Sequence, residues 1–148
     1  MQKELIIDIE FLSSKNYVIR NLVIHSLEIG FTNIHSEVTI ENCIIDRMEI
    51  HSTWFQRGLI LNGNIIKNKI DYQMGGHNHS PIRIENNIFE NFFNFFDCQF
   101  YDQVFVLNNI FKGDTNLLGN INEGYKNTFR SGMINNNNLG DLHSNKYL

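Results

Sequence analysis

Short runs that alternate apolar and polar residues recur along this chain at a nearly constant interval. VTIENCII from Val38, LILNGNII from Leu59, IRIENNIF from Ile82 and VFVLNNIF from Val104 begin 21, 23 and 22 residues apart. A fifth copy, YVIRNLVI, begins at Tyr17, and a degenerate sixth ends in YKNTF at Tyr125 to Phe129. A second block recurs inside each interval: Ile7-Asp8-Ile9, Leu27-Glu28-Ile29, Met48-Glu49-Ile50, Ile70-Asp71-Tyr72, Phe93-Asn94-Phe95 and Thr115-Asn116-Leu117. Alternation with a period of two is the mark of a strand with one buried face. Each interval therefore predicts three short strands: one before the asparagine pair, one just after it, and the second block.

A strand this short cannot bury its face alone. Stacking coil on coil at about 4.8 Å gives each strand a parallel neighbour and encloses a continuous core. The expected fold is all-β, a parallel β-helix of about six coils of roughly 22 residues. Residues 1–16 form an incomplete N-terminal coil, 17–129 the regular coils, and 130–148 a polar C-terminal coil or cap. Asn21, Asn42, Asn86 and Asn108 share one turn position with Gly63, and Asn64, Asn87, Asn109 and Asn127 share the next. Asn and Gly tolerate the left-handed backbone of a sharp turn, and stacked Asn side chains bond between coils.

The repeat resembles the I-x-I-x-N-N-x-[IF] units of the pectin-lyase-like, right-handed parallel β-helices, over roughly Tyr17 to Phe129. The resemblance implies a single-stranded right-handed solenoid. It implies a wide range of activities, from polysaccharide lyases, glycoside hydrolases and surface-sugar epimerases to phage tailspikes and non-catalytic members. The enzymes of that family are usually much longer, and their acidic and basic catalytic motifs find no match here.

Composition narrows the classes. The 148 residues suffice for one domain with a core. Ala is absent, and Pro81 is the only proline. A net charge of −4 argues against nucleic-acid binding. The apolar run near the N-terminus is broken by Asp8 and Glu10, which argues against a secretion signal and for the cytoplasm. No window is long enough to span a membrane. Cys43 and Cys98 are too few and too far apart to suggest a disulfide framework. No cofactor motif is present.

Three sets of residues are left for function. The outward row Asp8, Glu28, Glu49, Asp71, Asn94, Asn116 stacks four carboxylates. Two unit charges about 5 Å apart repel by about 1 kcal/mol even in water, so compensation is required. Either Arg47 and Lys69 neutralise a solvated face, or the row receives a cation or a basic partner. Next, Val23, Ile44, Ile65, Ile88 and Ile110 adjoin Ile24, Ile45, Ile66, Phe89 and Phe111. Two adjacent strand residues do not both point inward. Either a bulge lets both pack, or the isoleucine row is exposed as an interface.

The third set lies in variable loops: His51, Trp54, Phe55 and Arg57; then His77 and His79 in GGHNHSP; then Asp97, Phe100, Tyr101 and Asp102. Stacked loops on one edge of a solenoid form a composite binding face. His77 and His79 have metal-ligand spacing but lack a third ligand nearby in sequence, so no metal is expected. The N-terminal end, with Ile7 to Ile9 starting the first coil, leaves no room for a capping helix and is expected to be bare. These features point to a non-enzymatic protein-interaction module: a binder, inhibitor, immunity protein or assembly component. Its expected partner is another protein, with self-association through the bare end or the isoleucine row. The alternatives are a carbohydrate-binding or polysaccharide-processing β-helix and a segment of a phage or surface fibre.

Overall fold

A computed structural model of the chain describes residues 4–146, so residues 1–3 and 147–148 of the expected terminal coils lie outside the described residues. The fold is an all-β solenoid of parallel stacked coils, about five turns long. Its first sheet is built from the strands that precede the asparagine turn. These are Val18–Arg20, Val38–Glu41, Leu59–Asn62, Ile82–Glu85, Val104–Leu107 and Met133–Asn136, each pairing in parallel with the next.

The second sheet follows the turn: Ile6–Ile7, Val23–Glu28, Ile44–Glu49, Ile65–Gln73, Ile88–Phe89 and Ile110–Phe111, with Phe93–Phe96 also on Ile65–Gln73. The strand after the turn and the second repeated block, expected as two strands, are here mostly one continuous strand. The third strand of the coil sits inside the segments expected as loops. Asn33–Ile34 pairs with Trp54–Phe55, and Gln99–Phe100 with Thr128–Phe129, while Gly76 bridges to Gln99. Phe55 and Phe100, expected at the surface, are consequently buried in the core.

The turn between the first two sheets organises the coil. Asn21, Asn42, Gly63, Asn86, Asn108 and Asn137 all stand in the left-handed region, with φ between 53° and 70°. A Cβ at Gly63 would lie 2.5 Å from Asn42 Oδ1 and would displace the end of that side chain, while the left-handed backbone suits Gly there as it suits Asn on the other rungs.

The next residue turns its side chain inward. Asn64, Asn87, Asn109 and Asn138 form a ladder. Asn87 Oδ1 accepts from Asn64 N (2.9 Å) and Asn64 Nδ2 (3.1 Å). Asn109 Oδ1 does the same for Asn87, and Asn138 Oδ1 for Asn109. Each amide also donates back to a first-sheet carbonyl, Ile40, Leu61, Ile84 and Val106 in turn. Cys43 fills the ladder position one coil earlier, and its N–H donates to Asn64 Oδ1. A buried amide costs free energy unless bonded, and here both ends of each of the three fully buried asparagines are bonded.

The expected register of the last coil is corrected. Met133–Asn136 pairs with Val104–Leu107, 29 residues on, and Asn138, not Asn127, continues the ladder. A longer connection through 118–127 separates Leu117 from the last coil. The asparagine-rich tail is therefore a true rung, after which Asp141 to Lys146 folds back over Thr115 to Asn120.

The expected bare N-terminal end is also corrected. Ile9–Ser14 forms a six-residue helix whose Leu12 is fully buried on the core, with Ile9, Phe11 and Tyr17 packed beside it. Asp8 is its N-cap, accepting from Phe11 N at 2.8 Å. Asp is among the best N-cap residues, and this capping bond takes it out of the acidic row.

Inside, apolar columns run the length of the solenoid. Ile24, Ile45, Ile66, Phe89 and Phe111 form one, and Phe93 and Phe95 stack at 4.1 Å. Cys43 and Cys98 are both buried and free, and burial pushes the Cys98 thiol up to about 12.

The two asparagines of each turn carry different loads, and urea unfolding separates them. Asn87→Ala strands its bonding partners above and below and is expected to cost about 3 kcal/mol. Asn86→Gly keeps the left-handed turn and is expected to change stability by less than about 0.5 kcal/mol. Equal losses at the two positions would show that the ladder is not special.

Candidate interaction surfaces

The carboxylates of the acidic row stack in register: Glu28 opposite Glu49, Glu49 opposite Asp71, and Asp71 opposite Asn94. Every one of them is engaged within the chain. Lys69 Nζ lies 2.7 Å and Arg47 Nη2 3.6 Å from Glu49, so both cations converge on the middle charge. Ser26 Oγ donates to Glu28 at 2.9 Å, and Gln73 donates to Asp71 through N and Nε2. The hydrogen bond and charge of Lys69, with Arg47 beside it, lower the Glu49 carboxyl from its ordinary value. Further along, Asn94 and Asn116 are buried, and Asn116 Nδ2 donates to Asn94 Oδ1. Glu49 thus has the two cations and Glu28 and Asp71 have neutral donors, in a row that runs from the surface into the protein.

At the third corner lies an aromatic column. Trp54 alternates with buried Phe55, so its indole faces out. Its ring stacks on His77 at 4.0 Å, His77 meets Tyr101 edge-on at 4.8 Å, and the Arg130 guanidinium covers Tyr101 at 4.1 Å. His79 leans on the same tyrosine at 5.9 Å.

Glycine makes the column possible. A Cβ at Gly75 would fall 1.9 Å from the Tyr72 ring, and one at Gly76 would fall 2.2 Å from Gln99 O, so only glycines let this loop lie flat between rungs. Buried Asn78 pins it by donating to Ser80 O and accepting from Tyr101 N. Arg57 is exposed and stands outside the column.

Beside the column, Phe31, Trp54, Met74, His77, Asp97 and Gln99 line a groove of about 460 Å³. Phe31, Ser52, Met74 and Asp97 occupy equivalent corner positions on successive rungs, each donating its N–H to the rung above. All four are left-handed, with φ of 51° or 52°. This is a second left-handed corner, and unlike the asparagine corner it puts Phe31 and Met74, for which that backbone is costly, beside Asp97, which tolerates it. Phe31 is 79% and Met74 45% exposed, and Phe31 meets the His51 ring edge-on at 4.8 Å, so burial offsets the cost only in part. Phe31, Met74 and Arg130 escape a reading of the sequence because none is a turn-forming residue. Their signal is the shared offset from the second block in each coil.

The isoleucine row is outward. Val23 is 74% exposed and Ile44 39%; Ile65, Ile88 and Ile110 are half-buried, while each following residue is buried. Alternation continues through the pair, and the register shift between Ile45 and Arg47, opposite Ile66 and Lys69, follows the pair and does not bring both inside. Leu139 bridges to Ile110 and extends the row to a sixth rung at 65% exposure. At its first rungs a hollow of about 490 Å³ opens between Val23, Ile44, His25, Asp46 and Lys67.

No family model, curated protein or solved structure matches the chain. Among the described residues, no cluster of three or more His, Cys, Asp or Glu is arranged to hold a metal ion, and His51, His77 and His79 do not form one. No helix among them is long and apolar enough to cross a membrane.

Two measurements probe these surfaces. Lys69→Met leaves Glu49, between two like charges, with only the more distant Arg47 to offset them, and is expected to cost about 0.5–1 kcal/mol at pH 7 and low salt. The difference from wild type closes in high salt, and also as pH falls through the lowered Glu49 value, where the carboxylate protonates. His77 is lowered from its ordinary value by burial, then by Arg130 and His79. The unfolded chain therefore binds this proton more readily. The contribution of neutral His77 is present above the ordinary histidine value and lost as pH falls through the lowered one. Thermal melts from about pH 7.5 to 5 are expected to show a steeper loss for wild type than for His77→Asn, which keeps a residue suited to φ 51°.

Proposed function

We propose that this chain is a non-enzymatic protein-interaction module that binds a partner protein along the third corner, at the groove between Phe31, Trp54 and Met74. The observation that carries the reading is the strain at that corner. Two large apolar side chains are exposed, each on a backbone that costs about 1 kcal/mol or more relative to Asn or Gly. The asparagine corner of the same coils has the relaxed solution, so sequence and fold permit it. Exposed strain of this kind is explained when another surface covers it.

The chemistry supports a protein over a sugar. Tryptophan, tyrosine and arginine are the side chains that dominate protein interfaces, and methionine adapts to irregular ones. Trp54 already has one face on His77, and Tyr101 one face under Arg130, so each ring has one face fewer to offer a sugar. A sugar ring packs on an open aromatic face. The carbohydrate reading keeps one observation in its favour, the single carboxylate Asp97 in a groove with Trp54. We further propose that the repeat is of the pectin-lyase-like, right-handed kind and that the protein works in the cytoplasm. Coils of 21–23 residues with a paired-asparagine turn support the first of these.

The test separates binding from folding. Phe31→Asn with Met74→Asn is expected to raise stability by about 1 kcal/mol. The same double variant is expected to release, by tenfold or more, a partner that the wild-type chain retains from an extract of the encoding cell. Equal retention of that partner counts against the reading. So does a saturable shift of Trp54 fluorescence with oligosaccharides.

A further inference from the structure

The geometry points to a second copy of this chain as the occupant of the isoleucine row, docked face to face and antiparallel about a twofold axis between the Ile65 and Ile88 rungs. This inference concerns a different face from the groove at the third corner and does not rest on the reading given for it.

The apolar row runs over six rungs: Val23, Ile44, Ile65, Ile88, Ile110 and Leu139. Two residues beyond it, on the same side of the strand, lies a charged row whose sign alternates: Asp46, Lys67, Glu90, Lys112. Opposite charges on adjacent rungs suggest pairing within the chain. Yet among the described residues Lys67, Glu90 and Lys112 make no ion pair, and all three are exposed.

An antiparallel twofold maps each row onto itself with its direction reversed. Ile65 then meets Ile88 of the second copy, and Ile44 meets Ile110. The charged row becomes complementary throughout: Lys67 faces Glu90, and Asp46 faces Lys112, each pair occurring twice as an isologous interface demands. A parallel twofold, with its axis along the solenoid, sets the charged row against the asparagine turns instead and leaves Lys67, Glu90 and Lys112 unpaired, while Asp46 keeps its bond from Asn68 and its contact with His25 at 3.8 Å. Of the two closed arrangements, one gives Lys67, Glu90 and Lys112 each an opposite charge across the interface.

Size sets the expected strength. Six rungs at about 4.8 Å and five residues at about 3.4 Å give a face of roughly 24 by 17 Å. Two such faces bury on the order of 800–1,000 Å², at the low end for a specific interface. A reversible dimer in the micromolar range follows, not an obligate one.

The decisive pair is Asp46 with Lys112. They lie three rungs apart in one chain, roughly 14 Å along the axis, too far to pair within it. Sedimentation equilibrium of the full chain from about 1 to 200 µM is expected to show a monomer–dimer equilibrium. Asp46→Lys and Lys112→Asp are each expected to weaken the dimer about tenfold, and the double variant to restore it, all with melting curves that report an intact fold. Phe31→Asn with Met74→Asn is expected to leave the dimer unchanged. A monomer at every concentration overturns the inference. A dimer indifferent to the single reversals, or not restored by the double one, overturns it equally.

Discussion

A parallel solenoid has to turn its chain at the same place on every rung, and the turn has to stack on copies of itself. The asparagine pair meets both demands. The first residue supplies a left-handed backbone, which ordinary side chains resist. The second sends an amide into the interior, where it would be costly if unbonded. It is bonded on both sides, because the rung above and the rung below present the same turn. Each rung is thus the condition for satisfying its neighbour. This mutual dependence fixes the register, and with the register every other column in the structure.

Once the register is fixed, an outward position is no longer a single residue but a row. The rows differ in how far the chain satisfies them itself. The acidic row is closed internally, with Lys69 and Arg47 on Glu49 and its far end buried as paired asparagines. The third corner and the isoleucine row are not. One holds exposed Phe31 and Met74 on strained backbone; the other holds an apolar stripe beside Lys67, Glu90 and Lys112, which make no ion pair among the described residues. A small domain has little stability to spare, and unspent apolar surface together with partly compensated strain belongs where another surface will cover it.

Much of the fold was legible because the period is carried by chemically distinctive residues. Asn42, Gly63, Asn86 and Asn108 announce a left-handed turn, and Ile40 or Ile84 between polar neighbours announces a buried face. The third strand was hidden because it is only two residues long and reads as aromatic loop, as in Trp54-Phe55. The second corner was hidden because Phe31, Ser52, Met74 and Asp97 share a backbone conformation and no chemistry. The N-terminal helix was missed because six residues carry no periodicity; only Asp8, a good cap, marked it. The last rung was misaligned at Asn127 because the connection through 118–127 lengthens that coil, and Asn138 lay beyond the expected spacing. Trp54, His77, His79 and Tyr101 were recognisable as a surface from their loops. Their assembly into a column, with Arg130 as its end and Arg57 outside it, depends on the rung-to-rung register that only the fold supplies.

The claim that the ladder couples the rungs is tested most directly by native-state hydrogen exchange at the backbone amides of Cys43, Asn64, Asn87 and Asn109. Each of these donates to an asparagine side-chain oxygen of the next coil and not to a main-chain carbonyl. If the ladder holds the coils as one unit, these four amides exchange only through global unfolding, with the same opening free energy as the central strands Leu59–Asn62 and Ile82–Glu85. Exchange of the four through separate, low-energy local openings while those strands stay protected would contradict the account.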